Sequence, residues 1–327
     1  MKNSPDGLVE VAAPLSPVAT PRRWGAFLLT LALVILAFSL PLFNLIKFTL
    51  GSSLFSHIVL VPFVSVYLIW IQRGRIPVEY GRSTLVAALA FGLGALTLAG
   101  WAMIQPSGAA LAVQDRLAIQ ALAFVLFVIG TCGMFFRPCT LRAVTFPLAF
   151  LIFMVPFPVF IVNGIELFFQ HTSAAAAAGF FQIAGTPFFR EQTFFQLPGI
   201  NLEVAPECSG IRSSLALFIT SLVAGQLFLH SRSKRVLLAC IVVPLAIVRN
   251  GFRIFVIGAL CVNIGPEMIH SPIHHQGGPI FFALSLIPFS IFLYFLVRSD
   301  SARKRRAASL PAGSTPPSDA PKPAGVL

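Results

Sequence analysis

Hydrophobic residues in this chain fall into long runs, with little strict alternation. Eight runs stand out, at roughly 24–45, 54–71, 84–104, 117–136, 144–169, 209–229, 236–260 and 279–297. About 20 apolar residues in a helix cross a hydrocarbon core ~30 Å thick. Each run therefore predicts a transmembrane helix, and the chain predicts an all-α polytopic bundle of about eight spans. Pro41, Pro147, Pro156, Pro244 and Pro288 fall inside runs. Membrane helices tolerate them because neighbouring groups re-satisfy the freed backbone. The longest interval between runs, 170–207, reads differently. His171 to Ala184 is small and apolar, with five alanines from Ala174 to Ala178, and predicts a helix lying at the interface. Phe188 to Val204 reads as irregular or short extended structure, with turn signals at Pro187 and Pro198-Gly199. A segment this long between spans points to function.

Composition agrees with the pattern. Hydrophobic residues make up 57% of the 327 and charged residues only 10%, against about 25% charged in soluble domains. The mean hydropathy is +0.87. A formal net charge of +12 raises nucleic acid as a partner, but the basic residues sit in short clusters between apolar runs. That is the pattern of cytoplasmic loops, so membrane lipids and not nucleic acid are the expected surroundings. With both termini inside, all but six of the 23 Lys and Arg residues fall on one side; the six are Lys47, Arg116, Arg190, Arg212, Arg249 and Arg253. Residues 1–22 lack the charged start and short apolar stretch of a signal peptide and are expected to be a disordered cytoplasmic extension. Residues 299–327, with Arg303-Lys304-Arg305-Arg306 and a Pro/Ala/Ser stretch, are expected to be a disordered cytoplasmic tail. That leaves 23–298 as the membrane domain, with 170–207 as its long external segment. Five cysteines show no CxxC pair and no zinc spacing, which argues against a disulfide framework or structural metal.

Polar residues within and beside the runs locate the chemistry. Glu207-Cys208-Ser209-Gly210-Ile211-Arg212 opens the sixth run from outside. Arg249-Asn250-Gly251-Phe252-Arg253 lies inside the seventh. His270, His274 and His275 precede the eighth. Arg253 is roughly 26 Å along its helix from Val236, near the outer surface, so all three groups share one depth and one side. Intramembrane arginines are costly and ask for a reason. Cys208 at a helix start has its thiolate favoured by the dipole. Arg253 offers a fixed fork for an oxyanion or carboxylate. A histidine can take the thiol proton and return it to a leaving amine, and Asn250 can orient either partner. The bland alternatives are an inert thiol at Cys208, and snorkelling or ion-paired arginines with Glu203, Glu207 or Glu267 as partners. A metal site on His270, His274 and Glu267 is opposed by Pro272, which breaks the helix that would align them.

These residues carry a resemblance. Ala205-Pro206-Glu207-Cys208-Ser209-Gly210-Ile211-Arg212-Ser213 resembles the cysteine motif of the exosortase/archaeosortase family. Asn250-Gly251-Phe252-Arg253 resembles its Asn-x-x-Arg motif, and His274-His275-Gln276-Gly277-Gly278 followed by Phe282 its His-x-x-x-Gly-x-x-x-Phe motif. Ser56 to Pro62 and Phe153 to Pro158 are similar to its second and fifth spans. The similarity covers roughly Trp24 to Arg298. It implies an eight-span enzyme of the inner (plasma) membrane with its site facing the periplasm. Such a protein is expected to act on carboxy-terminal sorting signals of exported proteins: a short Pro-Glu-Pro-like motif, one transmembrane helix and a basic tail. Carried over by position, Cys208 is the nucleophile, Arg253 the oxyanion or substrate-carboxylate group and His274 the acid/base. Arg249 and His275 are extras that put the choice of basic and imidazole partner in question.

The sequence reading is thus a membrane cysteine transpeptidase or protease that needs no cofactor and no metal. It passes an acyl group to a surface acceptor, such as an exopolysaccharide or lipid-linked group. Glu207, Ser209 and Arg212 support the nucleophile, and Arg249 or Arg190 would contact an acidic motif residue. The rivals are a non-catalytic membrane component of polysaccharide export or assembly, and a transporter whose arginines bind an anionic solute.

Overall fold

The computed structural model describes residues 21–104, 111–270 and 278–309, without the side chains of Pro21, Glu207, Ile269, His270 and 302–309. Two compact units divide at Val162 and Asn163. The first contains α1 (Pro21–Ala37), α2 (Ser39–Gly51), α3 (Val61–Gln72), α4 (Thr84–Ile104), α5 (Val113–Phe135), α6 (Pro138–Ala143) and α7 (Thr145–Phe150). The second contains most of α8 (Val159–Ile183), then β1 (Phe189–Glu191), β2 (Phe194–Leu197), β3 (Ile200–Glu203), α9 (Ile211–Phe228), α10 (Arg232–Asn263) and α11 (Gly278–Ser309).

Among the described residues, six helical stretches are long and apolar enough to cross a membrane: Ser56–Arg75, Thr84–Ile104, Val113–Phe135, Ile211–Phe228, Arg232–Asn263 and Gly278–Ser301. Two bent pairs, Arg22–Ala37 with Ser39–Gly51 at 64° and Thr145–Met154 with Val159–Ile183 at 91°, bring the number to eight if each is one span. The chain is an all-α polytopic membrane protein whose first and fifth runs are broken. Pro41 has no N–H for the Ala37 carbonyl, and its ring crowds that oxygen. The chain accordingly turns at Phe38, with φ −98° and ψ 14°. At the second break Val155 precedes Pro156 and is extended, with φ −81° and ψ 118°, because a following proline disfavours the helical region. Large apolar side chains such as Leu36, Leu40, Phe63, Leu85 and Ile280 are exposed along these helices. In water such a surface would drive association; lipid tails solvate it.

Two expectations need correction. The helix expected to begin afresh at His171 is the second half of α8, which runs unbroken from Val159 to Ile183. Alanine has the highest helix propensity, and Ala174 to Ala178 carry the helix past Phe169. The segment after it, in keeping with the reading of short extended structure over Phe188 to Val204, is a small antiparallel sheet of order β1-β2-β3. Pro198 and Gly199, the latter at φ +80°, make the β2–β3 turn in the manner of a type II turn. The helix α11 also runs on through 299–309, where Ala, Lys and Arg keep propensity high. Residues 1–20 and 310–327 of the expected extension and tail lie outside the described residues.

The second unit has two apolar clusters. Ala174, Ala177 and Phe181 of α8, Phe195 and Leu197 of β2, Leu202 of β3, Val204 and Ile254 of α10 form one. Leu217, Ala224, Leu229, Leu238, Val242, Phe289 and Leu296 join α9, α10 and α11 in the other. The turn between α9 and α10 is tied to α11 by buried Asp300. Its carboxylate accepts from His230 N at 2.7 Å and Ser231 N at 3.4 Å, and Lys234 Nζ lies 3.3 Å away. Asp300→Ala removes the acceptor and leaves those donors unmatched. It is expected to destabilise the protein by about 2 kcal/mol, read as a lower midpoint of thermal aggregation in detergent. The alkylation rate of Cys208, far along the helices, should not change.

Candidate active site

The segment carrying Cys208 is held from both ends. Before it, Val204 N donates to Thr193 O at 3.0 Å, and Gln170 Nε2 of α8 donates to Val204 O. Ala205 is extended, and Pro206 opens a 3-10 turn over Pro206–Cys208. That turn is closed by Cys208 N donating to Ala205 O at 2.8 Å and Ser209 N to Pro206 O at 3.0 Å. After it, Gly210 takes φ +79° and feeds α9. A Cβ on Gly210 would lie 2.7 Å from Asn250 Oδ1. Glycine alone satisfies both the left-handed backbone and the close approach.

The opposing surface is one stretch of α10. Asn250 is buried, and its Nδ2 donates to Cys208 O at 2.8 Å and Ser209 O at 3.0 Å. One residue earlier, Arg249 is 6% exposed. Its Nη2 contacts Gly210 O at 3.4 Å and Ser214 Oγ at 3.3 Å. Arg253 follows one turn further along. Because α9 and α10 run in opposite directions, Arg249 meets the residues deeper in α9 and Arg253 meets the mouth. Arg253 and Cys208 line a common cleft, walled by Leu202, Glu203, Val204, Ile254 and Ile257. The helix α10 is brought close to α8 at Gly251, where a Cβ would lie 2.5 Å from Ala176 Cβ. Gly258 likewise leaves no room, with Phe181 Cζ 2.6 Å from the Cβ position. Both glycines let the α10 backbone settle against its neighbours and fix the arginine turn relative to the sheet.

This arrangement lies within the 46–291 stretch matched by the model of the transmembrane exosortase family. The chain belongs to that family. No curated protein and no solved structure matches it.

The remaining residues singled out in this exosortase are distributed as follows. Ser209 is buried, and its hydroxyl has no hydrogen-bond partner among the described residues. Arg212 is exposed on the first turn of α9. Arg190 is on β1, where its Nε donates to Gln192 O at 2.7 Å and its guanidinium lies 5.8 Å over the Phe195 ring. It thereby braces the hairpin turn at Gln192, a non-glycine residue with φ 53°, and is not among the cleft-lining residues. Arg249 is not among them either. It contacts the turn behind Cys208, at Gly210 O and Ser214 Oγ. Asn250 holds the backbone of the Cys208 segment, where the sequence suggested a catalytic side chain as its partner. The side chains of Glu207 and His270, and all of His274 and His275, lie outside the described residues. Gln170 was not singled out from the sequence; Glu203 was named there only as a possible ion-pair partner of the arginines, and Ala174 to Ala178 only as part of a helix. The one available signal was Gln170, a polar residue next to the apolar stretch of α8.

Proposed function

We propose that this exosortase is a membrane cysteine transpeptidase that cleaves carboxy-terminal sorting signals of exported proteins. The observation that carries the reading is the shared cleft of Cys208 and Arg253, with the Cys208 carbonyl clamped by Asn250. The Cys208 thiolate attacks the scissile carbonyl carbon, and the C–N bond breaks to leave a thioester and a free amine. The thiol proton passes to His274 and from there to the leaving amine. Arg253 faces the oxygen on which charge develops. An amine or hydroxyl of a surface acceptor, exopolysaccharide or lipid-linked, then attacks the thioester and releases Cys208. The distribution of basic residues supports a multi-pass inner-membrane protein with both termini cytoplasmic and the cleft on the extracytoplasmic side.

The test is to co-express the protein with a precursor ending in a Pro-Glu-Pro-like motif, one apolar helix and basic residues, and to add hydroxylamine. A thioester is expected to yield a hydroxamate at the new carboxy terminus, visible by mass spectrometry. Cleavage that yields only free acid at every hydroxylamine concentration would rule out the thioester. On intact spheroplasts, a membrane-impermeant thiol reagent should label Cys208; labelling only after permeabilisation would reverse the assigned sidedness.

A further inference from the structure

The small sheet presents an open edge to the cleft. In the order β1-β2-β3, β3 has a strand partner on one side only among the described residues. The register identifies its outward-facing groups. The bond from Val204 N to Thr193 O makes Thr193 and Val204 a hydrogen-bonded pair, and such pairs alternate along an antiparallel ladder. Leu202 opposite Phe195 and Ile200 opposite Leu197 are then the bonded pairs, while Asn201 opposite Gln196 and Glu203 opposite Phe194 are not. Asn201 and Glu203 therefore turn their N–H and C=O groups away from β2. The Glu203 carbonyl accepts from Ala205 N at 3.1 Å. Among the described residues, nothing outside the sheet hydrogen-bonds the Asn201 N–H, the Asn201 C=O or the Glu203 N–H.

An uncovered edge is a template for another strand, and proteins normally blunt it with proline, a bulge or a covering element. Here the edge has no proline and runs directly into the site. Leu202, Glu203 and Val204 line the cleft with Cys208 and Arg253, and Leu202 and Val204 are anchored in the apolar cluster under the sheet. The edge is therefore rigid, and it stops at the nucleophile. We propose that an extended segment of the substrate polypeptide docks as a fourth strand along β3, its backbone bonded to Asn201 and Glu203, so that its scissile carbonyl is delivered to Cys208. This rests on the transpeptidase reading and adds the binding mode. Main-chain pairing of this kind supplies affinity with little demand on side-chain identity. Specificity would then fall to the few positions that enter the cleft.

The test compares Asn201→Pro with Asn201→Ala in the full-length protein, acting on a precursor that the wild type cleaves. Proline deletes an outward N–H without removing a bond to β2, and edge positions tolerate it. Alanine changes the side chain and keeps the N–H. The expected result is a KM roughly tenfold higher for Asn201→Pro than for Asn201→Ala, the scale of a lost backbone hydrogen bond. Both variants should share one kcat and one rate of Cys208 alkylation by iodoacetamide. Equal KM values in the two variants would overturn the docking mode. Should Asn201→Pro fail to accumulate, a photoreactive benzophenone residue introduced at position 201 in a Cys208→Ala background decides. A cross-link to the precursor supports the fourth strand, and its absence overturns it. Failure of the transpeptidase reading looks different: precursor processing would persist in Cys208→Ala whatever stands at position 201.

Discussion

Cys208→Ala is expected to abolish processing of tail-bearing precursors, with uncut precursor accumulating in the membrane. Removing the nucleophile of a covalent enzyme costs on the order of 10⁴-fold or more. The protein itself should insert at normal abundance. Cys208 is only half-buried and packs at the margin of the cluster under the sheet. Trimming its sulfur therefore leaves a small defect, on the order of 1 kcal/mol. Cys208→Ser should be nearly as inactive, because a hydroxyl is far harder to deprotonate than a thiol. The other cysteines supply the control. Cys240 is exposed on α10 and Cys261 is buried further along that helix. Cys132 lies in α5 and Cys139 in α6. Alanine at any of these four should retain most activity. Immunoblots of precursor and product against each variant, normalised to membrane abundance, make the measurement. Wild-type processing by a fully inserted Cys208→Ala protein would sink the cysteine mechanism. It would favour the rival readings of an export component or an anion transporter.

Much of this was legible in the sequence, and the illegible parts share a cause. Hydropathy records where apolar residues are, so the runs located the helices. It does not record direction, so Trp24–Leu45 read as one span although Pro41 bends it at Phe38. Pro156 was noticed but not read as a right-angle break. The interval 170–207 misled in the opposite way. Ala174 to Ala178 are too small to register as a strong apolar run, yet they are the residues best able to carry α8 onward. The strands β1, β2 and β3 are three or four residues long, too short for alternation to announce them. The turn signals at Pro187 and Pro198-Gly199 marked the segment as irregular or short extended structure without resolving its strands. The arginine and cysteine segments were placed at one depth by counting residues from Val236 along one helix and setting Cys208 at the outer start of the run before it, a calculation that regular helix geometry makes dependable. Which arginine enters the cleft was not countable. Arg249 and Arg253 are one turn apart on the same face, and their division of labour depends on where the Cys208 turn sits against α10. Gly210 and Asn250 set that position by direct contact.

That division gives the second large effect. Arg253→Lys is expected to lower kcat by roughly 10²–10³, the typical loss of one oxyanion donor, with KM changed much less. Lysine keeps the charge, but its ammonium is a point donor on a flexible stem and cannot present two fixed N–H groups in a plane. Arg253→Ala should be at least as slow. Arg249→Lys should behave in another way. Its guanidinium is buried and bonded to Gly210 O and Ser214 Oγ, so a shorter, more strongly hydrated head group in that place disturbs the turn itself. The expected signature is reduced abundance and a lower thermal midpoint, together with slower Cys208 alkylation, because the thiol is displaced along with its backbone. Arg253→Lys should leave abundance, thermal midpoint and alkylation near wild type, since neither the Asn250 clamp nor the Arg249 contacts pass through it. The two variants are thus separated by kinetics against stability. If Arg253→Ala processed precursor normally while Arg249→Lys lost kcat at full abundance, the oxyanion role would belong to Arg249. The substrate carbonyl would then approach from the Gly210 side of Cys208.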